Sequence, residues 1–311
     1  MKPAVRVGTR ASPLALAQAR MACEAIRGFD AAMLPEIIEI RTTGDRRLDA
    51  ALSQAGTGTL PRGLFTKELE EALLGGTADI AVHSLKDLPT ELPKNLCLAG
   101  VLPRASAEDV LLTRDGTPFD SLPRGAVIAT SSERRRRMLL WRRPDLAIVP
   151  VRGNIGTRLR RLATESGWAG MVLARAGLDR LGHILRDGSV RSESGPLAME
   201  GIGAWMVPAP GQGAVALETR AEDTELLDLI GNAGDAATLA CVTAEREFLR
   251  LVGGGCHHPV GAHARVEADR LHLTALCFEA DPEPRHGACA GPIADPVTLA
   301  AALHAQLYAQ V

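Results

Sequence analysis

Aromatic side chains are scarce: five Phe, three Trp and one Tyr among 311 residues. So few rings provide no stacking platform for successive bases, which argues against single-stranded nucleic acid as the ligand. Lysine is nearly absent, occurring only at Lys2, Lys67, Lys86 and Lys94, so arginine supplies 31 of the 35 basic residues. No apolar run approaches the roughly eighteen residues of a membrane span. The opening Met1–Val7 passes directly into apolar alternation with no signal-peptide core, which predicts a cytoplasmic protein. The six cysteines, Cys23, Cys97, Cys241, Cys256, Cys277 and Cys289, show no CxxC spacing. They read as reduced thiols rather than a disulfide framework. Neither a GxGxxG fingerprint nor a Walker GK[ST] occurs. The net charge of −2 excludes the whole molecule as a polyanion binder.

What is present is organised. A chain this long exceeds one ordinary domain, and two or three are expected. A first block runs from a strand at Ala4–Val7 through a helix opened by Ser12-Pro13 to strands at Ile37–Arg41 and Asp79–His83, with a helix over Phe65–Leu74. Between them, Gly44–Gly63 is glycine-rich and aperiodic, the profile of a functional loop. A second block repeats the alternation: Ala126–Ala129 before a helix capped at Thr130–Ser132, Ala147–Val151 before Asn154–Ser166, and Gly170–Ala174 before another helix. This predicts α/β architecture with mostly parallel strands and two lobes that look alike. A third block, with helices at Ala236–Val252 and Val297–Gln310 around strands at Ala264–Ala268 and Leu271–Phe278, predicts a small α+β domain.

Arginine clusters locally. Thr130–Arg161 holds ten arginines against two acids, Glu133 and Asp145. Codon bias accounts for the global excess but not for this clustering. Thr130-Ser131-Ser132-Glu133-Arg134-Arg135 places hydroxyls, free N–H groups and arginines at a helix start, an anion site. Positive side chains there oppose the macrodipole, so the placement costs stability unless an anion is bound. Arg136 and Arg137 suit a solvated helix face. Arg152-Gly153-Asn154 and Arg158 repeat the device, with Gly153 letting a ligand approach the backbone. Lys86-Asp87 closes an apolar strand before Pro89, where α/β sheets bind ligands; a surface ion pair is the competing reading. Gly254-Gly255-Cys256-His257-His258 presents one thiol on a flexible loop, suited to nucleophilic or attachment chemistry. A metal site with His263 is the alternative, although adjacent histidines rarely reach one ion and no pair completes four ligands. The other five cysteines read as core residues.

Taken together, Thr9–Leu16, Gly63–Glu70, Ala78–Pro89, Thr130–Arg135, Arg152–Leu159, Ala176–Leu181, Pro210–Ala214 and Gly254–Cys256 resemble the porphobilinogen deaminase family in order and along essentially the whole chain. The resemblance implies two lobes like those of bilobal periplasmic binding proteins, residues 1–104 with 208–231 and residues 105–207, and a cofactor-attachment domain over 232–311. It implies a dipyrromethane cofactor bound covalently through Cys256, and Asp87 as the catalytic carboxylate. Arg10, Ser12, Lys86, Asp87, Ser132, Arg134, Arg135, Arg152, Arg158, Arg180 and Gln212 would hold cofactor or substrate. Thr130, Ser131 and Gly153 join them at the two helix starts. The activity implied is condensation of porphobilinogen to hydroxymethylbilane by a monomer, with no metal, no nucleic acid and no membrane, and with the product passed to uroporphyrinogen-III synthase. A carboxylate among arginines suits a reaction in which loss of ammonia leaves a cationic azafulvene. Departures are Glu133, where an apolar residue is common, Pro61-Arg62 in place of a glycine-lysine segment, and His257-His258. A bilobal carboxylate-binding or ligand-sensing protein without turnover explains the lobes and arginines but not the lone loop thiol.

Overall fold

The computed structural model describes residues 4–42, 66–253, 258–279 and 283–309. The 44–63 stretch up to Gly63, with Arg62, and the loop positions Cys256 and His257 lie outside the described residues. Strand β1 (Ala4–Arg10) leads into α1 (Pro13–Phe29), whose start is set by its own chemistry. Ser12 Oγ accepts from Ala15 N at 3.3 Å, and Pro13 occupies a position whose N–H would lack a partner. Ala19, Ala22, Cys23 and Ile26 recur at helical spacing and pack on Val5, Val7, Ile80 and Val82. Strand β2 (Leu34–Ile40), helix α2 (Lys67–Leu74), β3 (Ile80–Ser84) and β4 (Leu96–Val101) follow.

The chain then crosses into a second sheet. Here are β5 (Asp109–Thr113), β6 (Val127–Ala129), α3 (Glu133–Arg142), β7 (Ala147–Val149), α4 (Ile155–Thr164), β8 (Gly170–Ala174), α5 (Arg175–Arg180) and β9 (Ala198–Gly201). It returns as β10 (Val215–Arg220) and α6 (Thr224–Ala233) to complete the first sheet. The orders are β2-β1-β3-β10-β4 and β7-β6-β8-β5-β9. In each, one strand, β10 or β5, runs antiparallel to both neighbours while the remaining four point one way. Mostly parallel strands and two alike lobes are thus what forms. In each sheet the antiparallel strand is the one that directly follows a crossing between lobes: β5 enters the second sheet, β10 re-enters the first.

The two crossings are bonded to one another. Ala105 N donates to Gly213 O at 3.1 Å and Leu102 N to Val215 O at 3.1 Å. Gly213 has φ +87, and a Cβ there would stand 2.5 Å from Ala105 O, so the close passage requires glycine.

The third unit packs α7 (Ala236–Leu251) and α8 (Pro296–Tyr308) on an antiparallel sheet of β11 (Val260–Glu267), β12 (Arg270–Cys277) and β13 (Arg285–Pro292). Three strands form where two are expected. β13 reads Arg-His-Gly-Ala-Cys-Ala-Gly-Pro, with no β-branched residue to mark it, and it exists through unbroken pairing with β12. The hairpin turn falls at Ala268-Asp269, both at positive φ, one residue before the expected Asp269-Arg270. Phe278 and Leu276 join the core of the second lobe, whereas Val242 packs against Leu85, Leu88 and Val101 of the first. The third unit therefore buttresses both lobes. Among the described residues no helix is long and apolar enough to cross a membrane.

Candidate active site

The strand ends of the first lobe face a small cavity of about 80 Å³ lined in part by Arg10, Ser12, Gln18, His83, Ser84 and Asp87. Asp87 and Lys86 are carried on a short 3-10 turn, Leu85–Asp87, whose buried Leu85 anchors it and whose N–H bonds Ala214 O at 3.1 Å. Asp87 is exposed to the cleft while Lys86 is half-buried. Lys86 Nζ donates to Gln212 Oε1 at 3.3 Å, so its partner lies on the returning crossover. Burial, with Arg135 nearby, brings the Lys86 ammonium down to about 8, against the opposing pull of Asp87 and Asp109.

Across the cleft the two arginine-rich helix starts are tied together. Ser132 caps α3, accepting from Arg135 N at 3.4 Å. Thr130 is buried, and its Oγ1 accepts from Ser132 N at 3.2 Å. Ser131 Oγ donates to Val151 O at 2.7 Å and accepts from Val151 N at 2.9 Å, joining this loop to the next. Arg134 and Arg135 are both buried on the carboxylate of Asp109, and the buried Nε of Arg134 has no hydrogen-bond partner. Asp109 supplies the negative charge that their position at a helix N-terminus demands. Burial alone would raise the Asp109 carboxyl, but the two guanidinium groups hold it well below the usual range. Arg136 and Arg137 bond Glu133 Oε1 at 3.1 Å each, at the surface, so Glu133 serves its own helix face.

Asn154 caps α4, its Oδ1 accepting from Thr157 N at 2.9 Å. Gly153 has φ +109, and a Cβ would stand 2.8 Å from Thr157 Cγ2. Its carbonyl accepts from Arg158 Nε at 2.8 Å, turning that side chain along the loop beside half-buried Arg152. Burial and then Arg135 bring Arg158 down to about 10, with Asp87 acting the other way. Lys86 and Arg158, from opposite lobes, thus both sense Asp87 and Arg135. Arg180, at the end of α5, donates to Gly213 O at 2.6 Å, and its buried Nε has no hydrogen-bond partner.

Several residues at the site carry no motif. Asp109 is the first residue of an otherwise apolar strand and nothing local distinguishes it. Gln18 Nε2 donates to Ser84 Oγ at 2.8 Å from within α1, where its three-to-four spacing from Ala15 and Ala22 is the only signal. His83 Nε2 meets the fully buried Glu218 at 2.9 Å on the neighbouring strand, a contact between residues 135 apart. Of the cysteines, Cys23, Cys241 and Cys277 are buried and Cys97 and Cys289 half-buried, as core residues. Burial pushes the thiols of Cys241 and Cys277 up to about 11, so neither offers a thiolate near neutrality.

Residues 5–228 match the model of the porphobilinogen deaminase dipyrromethane cofactor binding domain, and residues 239–309 that of its C-terminal domain. A porphobilinogen deaminase of Pelotomaculum thermopropionicum is 45% identical over 281 residues, 90% of this chain and 85% of that protein. One from Roseiflexus sp. is 41% identical over 310 residues, 100% of this chain and 97% of the other. Among solved structures, the periplasmic VFT2 domain of Bordetella pertussis BvgS is similar at TM-score 0.44 and 17% identity, over 74% of this chain and 86% of that one. The methionine binding protein MetQ is similar at TM-score 0.42 and 14% identity, over 74% and 88%. With both parts of the chain matched in order and relatives above 40% identity along its length, the chain belongs to the porphobilinogen deaminase family.

Proposed function

We propose that this protein condenses four porphobilinogen molecules head to tail, with loss of ammonia, to give hydroxymethylbilane. The observation that carries the reading is the exposed carboxylate of Asp87 beside Arg10 and Lys86 of its own lobe, with Arg158 of the other lobe close enough to feel its charge. Each porphobilinogen carries an acetate and a propionate, so a growing chain brings a rising negative charge that such a cleft attracts. Asp87 is ill-suited to hold those carboxylates. Its use lies with the cation formed when ammonia leaves, which a fixed carboxylate stabilises and whose pyrrole N–H groups it can accept from.

The residues fit a dipyrromethane, which carries four carboxylates of its own. The buried, unpartnered Nε of Arg180 and the lowered Arg158 mark desolvated positive charge that a bound carboxylate relieves. Arg10, Ser12, Lys86, Ser132, Arg152, Arg158, Arg180 and Gln212 are the residues we assign to hold cofactor and substrate, with Thr130, Ser131 and Gly153 shaping the loops. Arg134 and Arg135 are assigned with them, backed by the carboxylate of Asp109. When bound, the group supplies a pyrrole carbon to which the next unit is joined. We assign its attachment to Cys256. The same reading places the lobes at 1–104 with 208–231 and at 105–207, the third domain at 232–311, and a monomer in the cytoplasm whose product passes to uroporphyrinogen-III synthase.

Purified protein supplied with porphobilinogen should release ammonia and yield a product that oxidises to a coloured porphyrin. Its intact mass should exceed that of the polypeptide by two pyrrole units. Binding of porphobilinogen with neither turnover nor added mass would instead establish a bilobal carboxylate-binding protein.

A further inference from the structure

Four of the assigned ligand-binding residues converge on a fifth that no motif marks. Asp109 is completely buried at the start of β5. Its Oδ1 accepts from Arg135 Nε at 3.1 Å, Arg135 Nη2 at 2.7 Å and Gln212 Nε2 at 2.9 Å, and its Oδ2 accepts from Arg134 Nη2 at 2.7 Å. Gln212 Oε1 accepts in turn from Lys86 Nζ. Behind, Arg134 Nη1 donates to Val207 O at 2.7 Å and Arg135 Nη1 to Val172 O at 3.0 Å, while the buried Arg134 Nε has no hydrogen-bond partner. Gln212 also donates to Ala107 O at 2.7 Å.

The arrangement spans four chain segments: the turn after β3, the start of β5, the first turn of α3 and the returning crossover. It also has a polarity. An amide placed between a carboxylate and an ammonium has one good orientation, its NH2 toward the carboxylate and its oxygen toward the ammonium, and Gln212 adopts it. The three cations Lys86, Arg134 and Arg135 are otherwise mutually repulsive in a desolvated place. Without the carboxylate the group most able to shed its charge is Lys86, since guanidinium stays protonated in proteins.

We propose that Asp109 is a positioning residue for the anion-binding face of the cleft: its carboxylate holds Arg134, Arg135 and, through Gln212, the Lys86 ammonium in one charged array that presents a fixed positive surplus to carboxylate-bearing substrate. This deepens the function proposed above and rests on it for the ligand's identity. It has a counter-intuitive consequence. Removing a negative charge from the neighbourhood weakens, rather than strengthens, the binding of an anion.

The test uses the full chain. Reductive 13C-methylation labels its four lysines, and Lys86→Arg assigns the Lys86 signal by its disappearance. Lys86 is faced by Asp87 and Asp109 and by Arg134 and Arg135. In Asp109→Asn the Lys86 titration should move to lower pH, and KM for porphobilinogen should rise about tenfold while kcat changes less than about threefold. Asp109→Glu should recover part of both. A folded Asp109→Asn protein in which either the titration or KM matches the parent overturns the proposal. If that variant fails to fold because two buried guanidinium groups lose their counter-charge, Gln212→Leu decides the matter. It leaves the Asp109 ion pairs with Arg134 and Arg135 in place while cutting the link to Lys86 along with the Gln212 bonds to Asp109 and Ala107 O, so the Lys86 titration is expected to move to lower pH, and an unmoved one overturns the array. Failure of the parent reading shows separately, as unaltered protein without pyrrole mass or turnover. In that case the Lys86 titration, which requires no turnover, still reads the array.

Discussion

Arg104 and Glu245 meet face to face where all three units join, Nη1–Oε1 at 2.6 Å and Nη2–Oε2 at 3.0 Å. Glu245 is completely buried in α7 and also accepts from Gly211 N and Ala264 N, each at 2.7 Å. Arg104 Nε donates to Gln212 O at 2.9 Å. One carboxylate therefore pins both crossovers and the third sheet. Glu245→Ala strands a buried guanidinium and two N–H groups, and should cost about 3–5 kcal/mol in urea unfolding. Glu245→Gln keeps one acceptor oxygen and should cost less. A loss below about 1 kcal/mol in the alanine variant would show that the joint is held elsewhere.

Cys256→Ser should leave the fold intact and remove the covalent pyrrole adduct, together with its colour with an acidic aldehyde reagent. The remaining cysteines sit in strands and helices, and burial raises those of Cys241 and Cys277 beyond easy ionisation. An adduct persisting on the serine variant, seen by intact mass, would move the attachment to another residue.

Asp87→Asn should lower kcat at least about a hundredfold, the scale of losing one preorganised electrostatic stabiliser. Its exposure on a short turn makes the change cheap for folding, so unfolding curves should overlay those of the parent. Asp87→Glu retains the charge at a displaced position and should keep more activity. Normal turnover in the asparagine variant would reduce Asp87 to a structural role beside Lys86.

Arg158→Ala and Arg180→Ala should each weaken cofactor loading or raise KM about ten- to a hundredfold, the cost of a charged hydrogen bond of about 1.5–3 kcal/mol. Arg136→Ala should change KM less than about twofold, because its partner is the surface carboxylate of its own helix, Glu133. Equal effects across the three would mean that distance from the cleft does not sort these arginines. Steady-state kinetics and the fraction of protein bearing the adduct provide the readouts.

Affinity for porphobilinogen should fall as pH rises through about 8, where Lys86 loses its proton. The direction follows from the sign: the deprotonated amine is neutral and no longer attracts a carboxylate. Lys86→Arg holds a charge that does not titrate there and should flatten this limb of the KM profile. A limb that persists unchanged in the arginine variant belongs to another group.

Much of this was decided locally. Ser12, Ser132 and Asn154 start helices because their own side chains satisfy N–H groups three residues on, and short apolar runs bounded by turn residues, such as Gly170–Ala174, read as buried strands. Such interactions span a few residues, so the order of letters is enough to reveal them, and with them the α/β alternation and the cleft-facing turn of Asp87. Which strand stands antiparallel in each sheet, and that β13 is a strand at all, came only from pairing with distant neighbours. The same holds for charge. Arg134 and Arg135 read as anion receptors in sequence because the sequence shows cations at a helix start; that they also share a buried carboxylate, Asp109, 25 and 26 residues away, follows only when β5 is threaded beside α3. A local pattern determines which charges a segment carries, but Coulomb interactions act through space, and only the tertiary fold determines which of those charges are already matched and which remain for a ligand.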